Sequence, residues 1–319
     1  MTQPGGATVE RDPTGAPGPL VGVVMPAYDA ASTIAESIGS VVSQSYPNWE
    51  LIVIDDGSTD ETAAVVTGLG LGASVRLVRQ ENAGIGAARA RGISLARGEL
   101  VAFLDSDDVW EPSILEREVA AMLEGGHDVV FSRGYLLGRP AAVTEWVPTG
   151  RFSGPEMFRL LYEGNRIPVS TVLARKDAIE RAGGSLGTRG LMGEDYDLWL
   201  RMANTGSTFF GLPQALLGFR DRPGSHLHNH MARLTGDLAV LAQFDAQVAA
   251  EDPATRRRRI RGLHNRLAAE HASAGDLAAA RRSLASLRAF EPASLVRAKM
   301  FALALLRRRY GTLRSLLVS

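Results

Sequence analysis

Short apolar runs alternate with stretches of helical period over the first hundred residues. Leu20-Val21-Gly22-Val23-Val24-Met25, stopped by Pro26, reads as a buried strand. After the loop Tyr28–Ser32, which supplies a helix cap, Ile34, Ile38, Val41 and Val42 recur at helical spacing within Thr33–Ser43. Tyr46-Pro47-Asn48-Trp49 ends that helix, and Glu50-Leu51-Ile52-Val53-Ile54 is a second strand. Asp55-Asp56-Gly57-Ser58-Thr59-Asp60 turns the chain into a helix reaching about Gly68. Val75–Val78 is a third strand, Asn82–Arg91 opens a helix, and Leu100-Val101-Ala102-Phe103-Leu104 is a fourth strand. This strand–helix alternation predicts an α/β fold: a mostly parallel sheet with helices on both faces.

Further on the pattern loosens. Asp128–Ser132 reads as a strand, 138–155 as a Pro- and Gly-broken loop holding Trp146, and Pro168–Leu173 as a strand. Arg175-Lys176-Asp177 starts a short helix, and Leu198, Trp199, Leu200 and Met202 mark a buried helix beginning at Glu194. Phe209–Arg220 is mixed strand and loop. From Met231 the pattern is helical, with one helix through Leu234, Leu238, Val240 and Leu241 and three more over 263–271, 276–290 and 294–317. Residues 267–292 look like one unit of a helical-hairpin repeat, too few for an array. The expected organisation is a disordered leader over 1–19, an α/β domain over 20–230 with halves 20–110 and 111–230, and a basic helical region over 231–319.

Composition narrows the function classes. The absence of cysteine excludes disulfides, thiolate metal sites and a cysteine nucleophile. No apolar run is long enough for a membrane span and no secretory signal stands at the start, so a cytoplasmic address is expected. Zero net charge conceals an asymmetry: from Glu251 onward fifteen Lys/Arg face five Asp/Glu, while the remainder holds twenty against thirty. Arg256–Arg259, and Arg307–Arg309 beside Leu303, Leu305 and Leu306, give basic amphipathic faces. They read either as a solvated cap or as peripheral contact with an anionic inner membrane leaflet. Nucleic acid is not expected, because the tail lacks aromatic interleaving and any reader motif.

The chemistry concentrates where strands end. In parallel sheets, ligands bind beyond the carboxyl ends of the strands. Tyr28-Asp29, Asp55-Asp56 and Asp105-Ser106-Asp107-Asp108 all stand there. Carboxylates crowded at a strand end need compensating charge, and their oxygens suit Mg2+ or Mn2+ bridging to a phosphate. The last cluster also reads as an acidic turn capping a helix near Pro112. Gly84 and Gly86 open a helix whose amino end suits an anion. Glu194 and Asp195 either favour a helix dipole or supply a general base. His226, His228 and His230 alternate, as a solvated loop or as a source of one metal ligand.

Five segments in order resemble family 2 glycosyltransferases over about 20–225. They are Val23–Asp29, Asp55–Asp60, Asn82-Ala83-Gly84 with Ala88-Arg89, Asp105–Asp108 and Gly193-Glu194-Asp195-Tyr196-Asp197-Leu198-Trp199. The resemblance implies a GT-A fold and an inverting, metal-dependent transfer of one sugar from a nucleotide-diphosphate donor, most commonly a UDP sugar. The acceptor would be a lipid-linked saccharide, a cell-envelope glycan or a small natural product. By the same resemblance Pro26, Ala27, Tyr28, Asp29 and Asp56 hold the nucleotide, and Arg89, Asp105 and Ser106 lie toward the phosphate, ribose or sugar. Asp107 binds Mn2+ or Mg2+, Asp195 is the base, and Glu194 and Trp199 lie on the acceptor side. The chain lacks the Gln-x-x-Arg-Trp stretch and membrane helices of processive synthases. Phe219-Arg220-Asp221-Arg222 stands where relatives carry Tyr-Arg-x-His, which makes His226 or His228 the substitute third metal ligand. Two alternatives are a sugar-nucleotide-binding scaffold and a nucleotidyltransferase. The intact Glu194-Asp195 argues against the first, and the lack of a Gly-rich basic loop after the first strand argues against the second.

Overall fold

The structure, a computed structural model, describes residues 18–184, 192–221 and 229–305. Its first elements run β1 (Val21–Ala27), α1 (Ile34–Val42), β2 (Trp49–Asp55), α2 (Thr62–Gly68), β3 (Val75–Arg79), α3 (Ile85–Leu95) and β4 (Leu100–Phe103). These are the alternating elements expected from the apolar runs. The chain continues through β5 (Val109–Trp110), α4 (Ile114–Gly125), β6 (Val129–Leu136), β7 (Arg139–Val143), β8 (Gly150–Phe152) and α5 (Gly154–Glu163). Then come β9 (Val172–Arg175), α6 (Lys176–Arg181), α7 (Glu194–Asn204) and β10 (Phe209–Phe219). Five helices follow: α8 (His230–Ala242), α9 (Asp245–Glu251), α10 (Pro253–Ser273), α11 (Leu277–Ser286) and α12 (Ala293–Leu305). The chain divides into two compact units, one of 1–161, 165–189 and 198–221, the other of 162–164, 190–197 and 222–319.

The first unit is built on one sheet of order β3-β2-β1-β4-β9-β6-β10-β5, with β7 on β6 and β8 on β10. β3, β2, β1 and β4 are mutually parallel, and β6 and β10 are parallel. β9 runs against both β4 and β6. Every residue of β1 and of β4 is buried, as the unbroken apolar runs require of strands covered on both faces. The core joins the alternate residues Val21, Val23 and Met25 of β1 to Ile34, Ile38 and Val41 of α1 and to Ile114, Val119 and Met122 of α4.

Four departures from the expected elements have local causes. The stretch 138–155 holds β7, β8 and the start of α5 rather than a loop. Both strands pair on one side only, where Pro140 and Gly150 are tolerated. The strand expected at Pro168 begins at Val172, after a 3-10 turn over Val169–Thr171. Phe209–Phe219 is one continuous strand, in which shifts of register at Gly211, Ala215 and Leu217 absorb the Gly and Pro that suggested a loop. Helix α4 starts at Ile114 without a side-chain cap, and β5 separates it from the aspartate turn, so the capping reading is not what is seen.

In the second unit α10 runs 21 residues and starts ten residues before the expected Leu263. Asp252 caps it by accepting from Thr255 N, and Pro253 occupies its first turn. A small core of Ala268, Ala269, Ala272, Ala280, Leu284, Leu287 and Val296 joins α10, α11 and α12. The arginine run is largely committed within the fold. Arg256 forks onto Asp245 through two 2.6 Å bonds, Arg258 pairs with Glu163, and Arg259 pairs with Asp237. Arg307–Arg309 lie outside the described residues. No helix among the described residues is long and apolar enough to cross a membrane.

Candidate active site

In the first unit, β1, β2 and β4 deliver their carboxyl ends side by side, because β1 pairs in parallel with both neighbours. Tyr28 leaves the end of β1 half exposed, while Pro26 and Ala27 are buried within the strand. Asp29 has φ of +46°, unusual for a residue with a side chain. It stays there because it is bound from both sides. Its N–H donates to Ser58 Oγ at 3.0 Å and its Oδ1 accepts from Thr59 N at 2.8 Å. Asp29 therefore ties the β1 exit to the turn after β2.

That turn is held by its own acids. Asp55, fully buried, accepts from Ser58 N at 2.9 Å and from Arg79 Nε at 2.8 Å. Asp56, 3% exposed, accepts from Gln80 Nε2 at 2.6 Å, Ala83 N at 2.9 Å and Gly84 N at 2.8 Å. These N–H groups at the entrance to α3, expected to face an anion, are occupied by Asp56. Gly57 sits at φ +80°, and a Cβ there would lie 2.8 Å from Asn82 N, so glycine is required for both conformation and space.

The turn after β4 is different. Arg89, buried on α3, donates through Nη2 to Asp105 Oδ1 at 2.5 Å. Ser170 Oγ accepts from Asp105 N at 3.1 Å, and the Ser170 carbonyl accepts from Trp110 Nε1 at 2.6 Å. Arg220 closes the turn by donating its N–H to Asp108 Oδ1 and its Nε to the Asp107 carbonyl. Burial, with Asp105 and Asp107 beside it, pushes the Asp108 carboxyl up to about 8, only partly opposed by Ser170 and Arg220. Ser106 is buried within the turn. Three carboxylates share four residues here, and the paired guanidinium of Arg89 is already committed to Asp105.

This donor set of hard carboxylate oxygens fits a divalent cation such as Mn2+ or Mg2+. Among the described residues, no three His, Cys, Asp or Glu side chains form a complete cage. One or two carboxylates completed by phosphate oxygens is the arrangement such ions commonly take. His226 and His228 lie outside the described residues, and His230 opens α8 rather than continuing a strand.

Glu194 and Asp195 stand in the first turn of α7, after Gly193 at φ +100°. Glu194, Tyr196 and Asp197 are buried and Asp195 is partly exposed. In this second unit Asp197 Oδ1 accepts from Gln243 Nε2 at 3.0 Å. Trp199, expected on the acceptor side, lies in the core. It is fully buried and packs edge-on against Phe103, with ring centroids 5.9 Å apart. Gln80 and Ser170 are site neighbours that the sequence left unmarked, and Arg220 was marked only as part of the departure Phe219–Arg222. Gln80 follows directly on β3, a fourth strand end that could have been counted with the others. Ser170 sits on a short turn with no motif.

The family model described as "Glycosyl transferase family 2" matches residues 22–181. A glycosyltransferase of Bacillus subtilis named for teichuronic acid biosynthesis, TuaG, is 31% identical over 210 residues, which is 63% of this chain and 79% of that protein. The Escherichia coli UDP-Glc:alpha-D-GlcNAc-diphosphoundecaprenol beta-1,3-glucosyltransferase WfgD is 36% identical over 129 residues, 40% of this chain and 51% of that protein. Among solved structures, the mannosyltransferase PcManGT from Pyrobaculum calidifontis in complex with GDP-Man and Mn2+ superposes with a TM-score of 0.57. It is 21% identical and covers 94% of this chain and 85% of its own. At that identity the likeness establishes the fold.

Proposed function

The chain belongs to glycosyltransferase family 2, and from that premise we propose an inverting transfer of one sugar from a UDP sugar to a hydroxyl of a lipid-linked saccharide or cell-envelope glycan. The names of WfgD, with UDP-Glc and a diphosphoundecaprenol-linked acceptor, and of TuaG support this donor and acceptor class. PcManGT, bound to GDP-Man, makes a GDP sugar the donor to test against it.

In the proposed reaction the acceptor oxygen attacks the anomeric carbon, and the bond from that carbon to the diphosphate breaks. The electron pair leaves with the diphosphate, and Asp195 takes the acceptor proton as general base. Tyr28, half exposed, offers its ring for stacking on the base, beside the Pro26-Ala27 backbone. Asp56, fixed by three donors, presents a rigid edge to the base, and Asp29 keeps its turn closed. Arg89 holds Asp105 toward ribose and sugar, with Ser106 inside the same turn. Asp107 would hold Mn2+ or Mg2+, which when bound offsets the charge gathering on the departing diphosphate.

The observation that carries this reading is the cluster of Asp105, Asp107 and Asp108 just past the carboxyl end of β4 in a chain of this family. The test is nucleotide release from UDP and GDP sugars with Mn2+, using the intact chain and Asp195→Asn. Release from a UDP sugar that stops in Asp195→Asn, with nucleotide binding retained, is expected. Full turnover in Asp195→Asn would remove that residue as the base, and release from a GDP sugar alone would replace the donor.

A further inference from the structure

The second unit packs the start of α7 against two of the C-terminal helices. Tyr196, 1% exposed, is hydrogen-bonded to Arg259 of α10. Arg259 Nη2 is also 2.8 Å from Asp237 Oδ2 on α8, with only 10% and 17% of the two side chains exposed. Gln243, just past α8, donates to Asp197. Gly236 of α8 lies so close to the Met192 backbone that a Cβ there would fall 2.0 Å from the Met192 carbonyl oxygen. Met192, Tyr196 and Asp197 are therefore each fixed by a residue from 236–259, and Asp195 is the acid between them.

A helix's first turn lacks the intrahelical bonds that hold its middle, so its geometry depends on outside partners. A guanidinium can bridge two acceptors in one fixed plane, which an ammonium on a flexible stem does less well. We propose that Arg259, oriented by Asp237, is a positioning residue for the α7 amino end and holds Asp195 in its working place. The inference rests on the proposed role of Asp195 as base. Arg259 and Asp237 both lie beyond the residues matched by the family model, so the C-terminal helices become part of the catalytic apparatus.

The test compares the full-length chain with Arg259→Gln, Arg259→Lys and Asp195→Asn. Amide hydrogen exchange of the peptide spanning 192–197 is read together with turnover of a UDP sugar and UDP affinity. In Arg259→Gln, exchange at 192–197 is expected to rise. Turnover should fall about 10- to 100-fold, the scale on which misplaced catalytic groups lose rate. UDP affinity and the donor KM should stay within about twofold, since the nucleotide-binding residues belong to the first unit, and Arg259→Lys should recover part of the rate. Unchanged exchange at 192–197, or a turnover per nucleotide-binding site equal to that of the unaltered protein, overturns the proposal. Raised exchange in Arg259→Gln alongside a fully active Asp195→Asn overturns the base assignment instead, and leaves Arg259 a purely structural residue.

Discussion

Two acidic turns flank β1, one after β2 and one after β4, and they solve the same electrostatic problem in opposite ways. Asp55 and Asp56 are buried, and each is met by hydrogen-bond donors: backbone N–H groups of Ser58, Ala83 and Gly84, and the side chains of Arg79 and Gln80. In the turn after β4, Asp105 pairs with the Arg89 guanidinium and Asp108 accepts from Arg220 N, yet burial beside Asp105 and Asp107 drives the Asp108 carboxyl up to about 8. The acids of the first turn are held rigid by protein donors. The second is the turn at which we propose that a bound cation adds positive charge.

The sharpest way to break this contrast is to remove Asp107. Asp107→Ala is expected to lower turnover by about 10^2- to 10^3-fold, the range for losing a principal charge-stabilising group, while leaving the melting temperature within about 2 °C. A large drop in melting temperature with preserved turnover would reverse the roles of the two turns. Asp56→Ala should act the other way. It strands the donors at Gln80, Ala83 and Gly84, and a loss of about 3 kcal/mol in urea unfolding is expected. A smaller effect, about 1–3 kcal/mol, is expected of Gly57→Ala, which strains φ and presses on Asn82 N.

A third kind of acid sharpens the comparison. Glu118, on α4 in the core, is fully buried, and burial holds its carboxyl well above the ordinary range despite the nearby Ser132 hydroxyl. A raised folded-state value means that the folded chain keeps the proton that the unfolded chain releases above about pH 4.3. Its contribution to stability is therefore full below that pH and declines as pH rises. Glu118→Gln should gain stability relative to the unaltered protein as pH rises above about 4.3, by at most about 1.4 kcal/mol per pH unit. A gap in melting temperature that stays flat with pH would mean that Glu118 ionises normally.

Much of this was legible in the chain. The apolar runs of β1, β2 and β4 are uninterrupted and end abruptly in polar residues, so the strands and the polar strand ends of the candidate site could be read from local pattern. Edge strands β7 and β8, which pair on one side and tolerate Pro140 and Gly150, carry no such signal. Neither does β10, whose irregular register hides its Gly and Pro. Trp199 was legible both as part of a buried helix and, through the motif, as an acceptor-side residue, because a helix facing the sheet and a helix facing a ligand share one apolar period. The ties of Arg259 and Gln243 to α7 join segments more than forty residues apart, and no periodicity reports a long-range contact. Arg220 was visible only as a departure from a familiar stretch, and its partnership with the aspartate turn needed the fold.

Calorimetric titration of UDP into the protein, with and without Mn2+, in the unaltered chain and in Asp107→Asn, tests the division between the turns most directly. UDP binding is expected to strengthen at least tenfold with Mn2+ and to lose that gain in Asp107→Asn. Equal UDP affinity with and without the ion, or a full Mn2+ gain in Asp107→Asn, would contradict it.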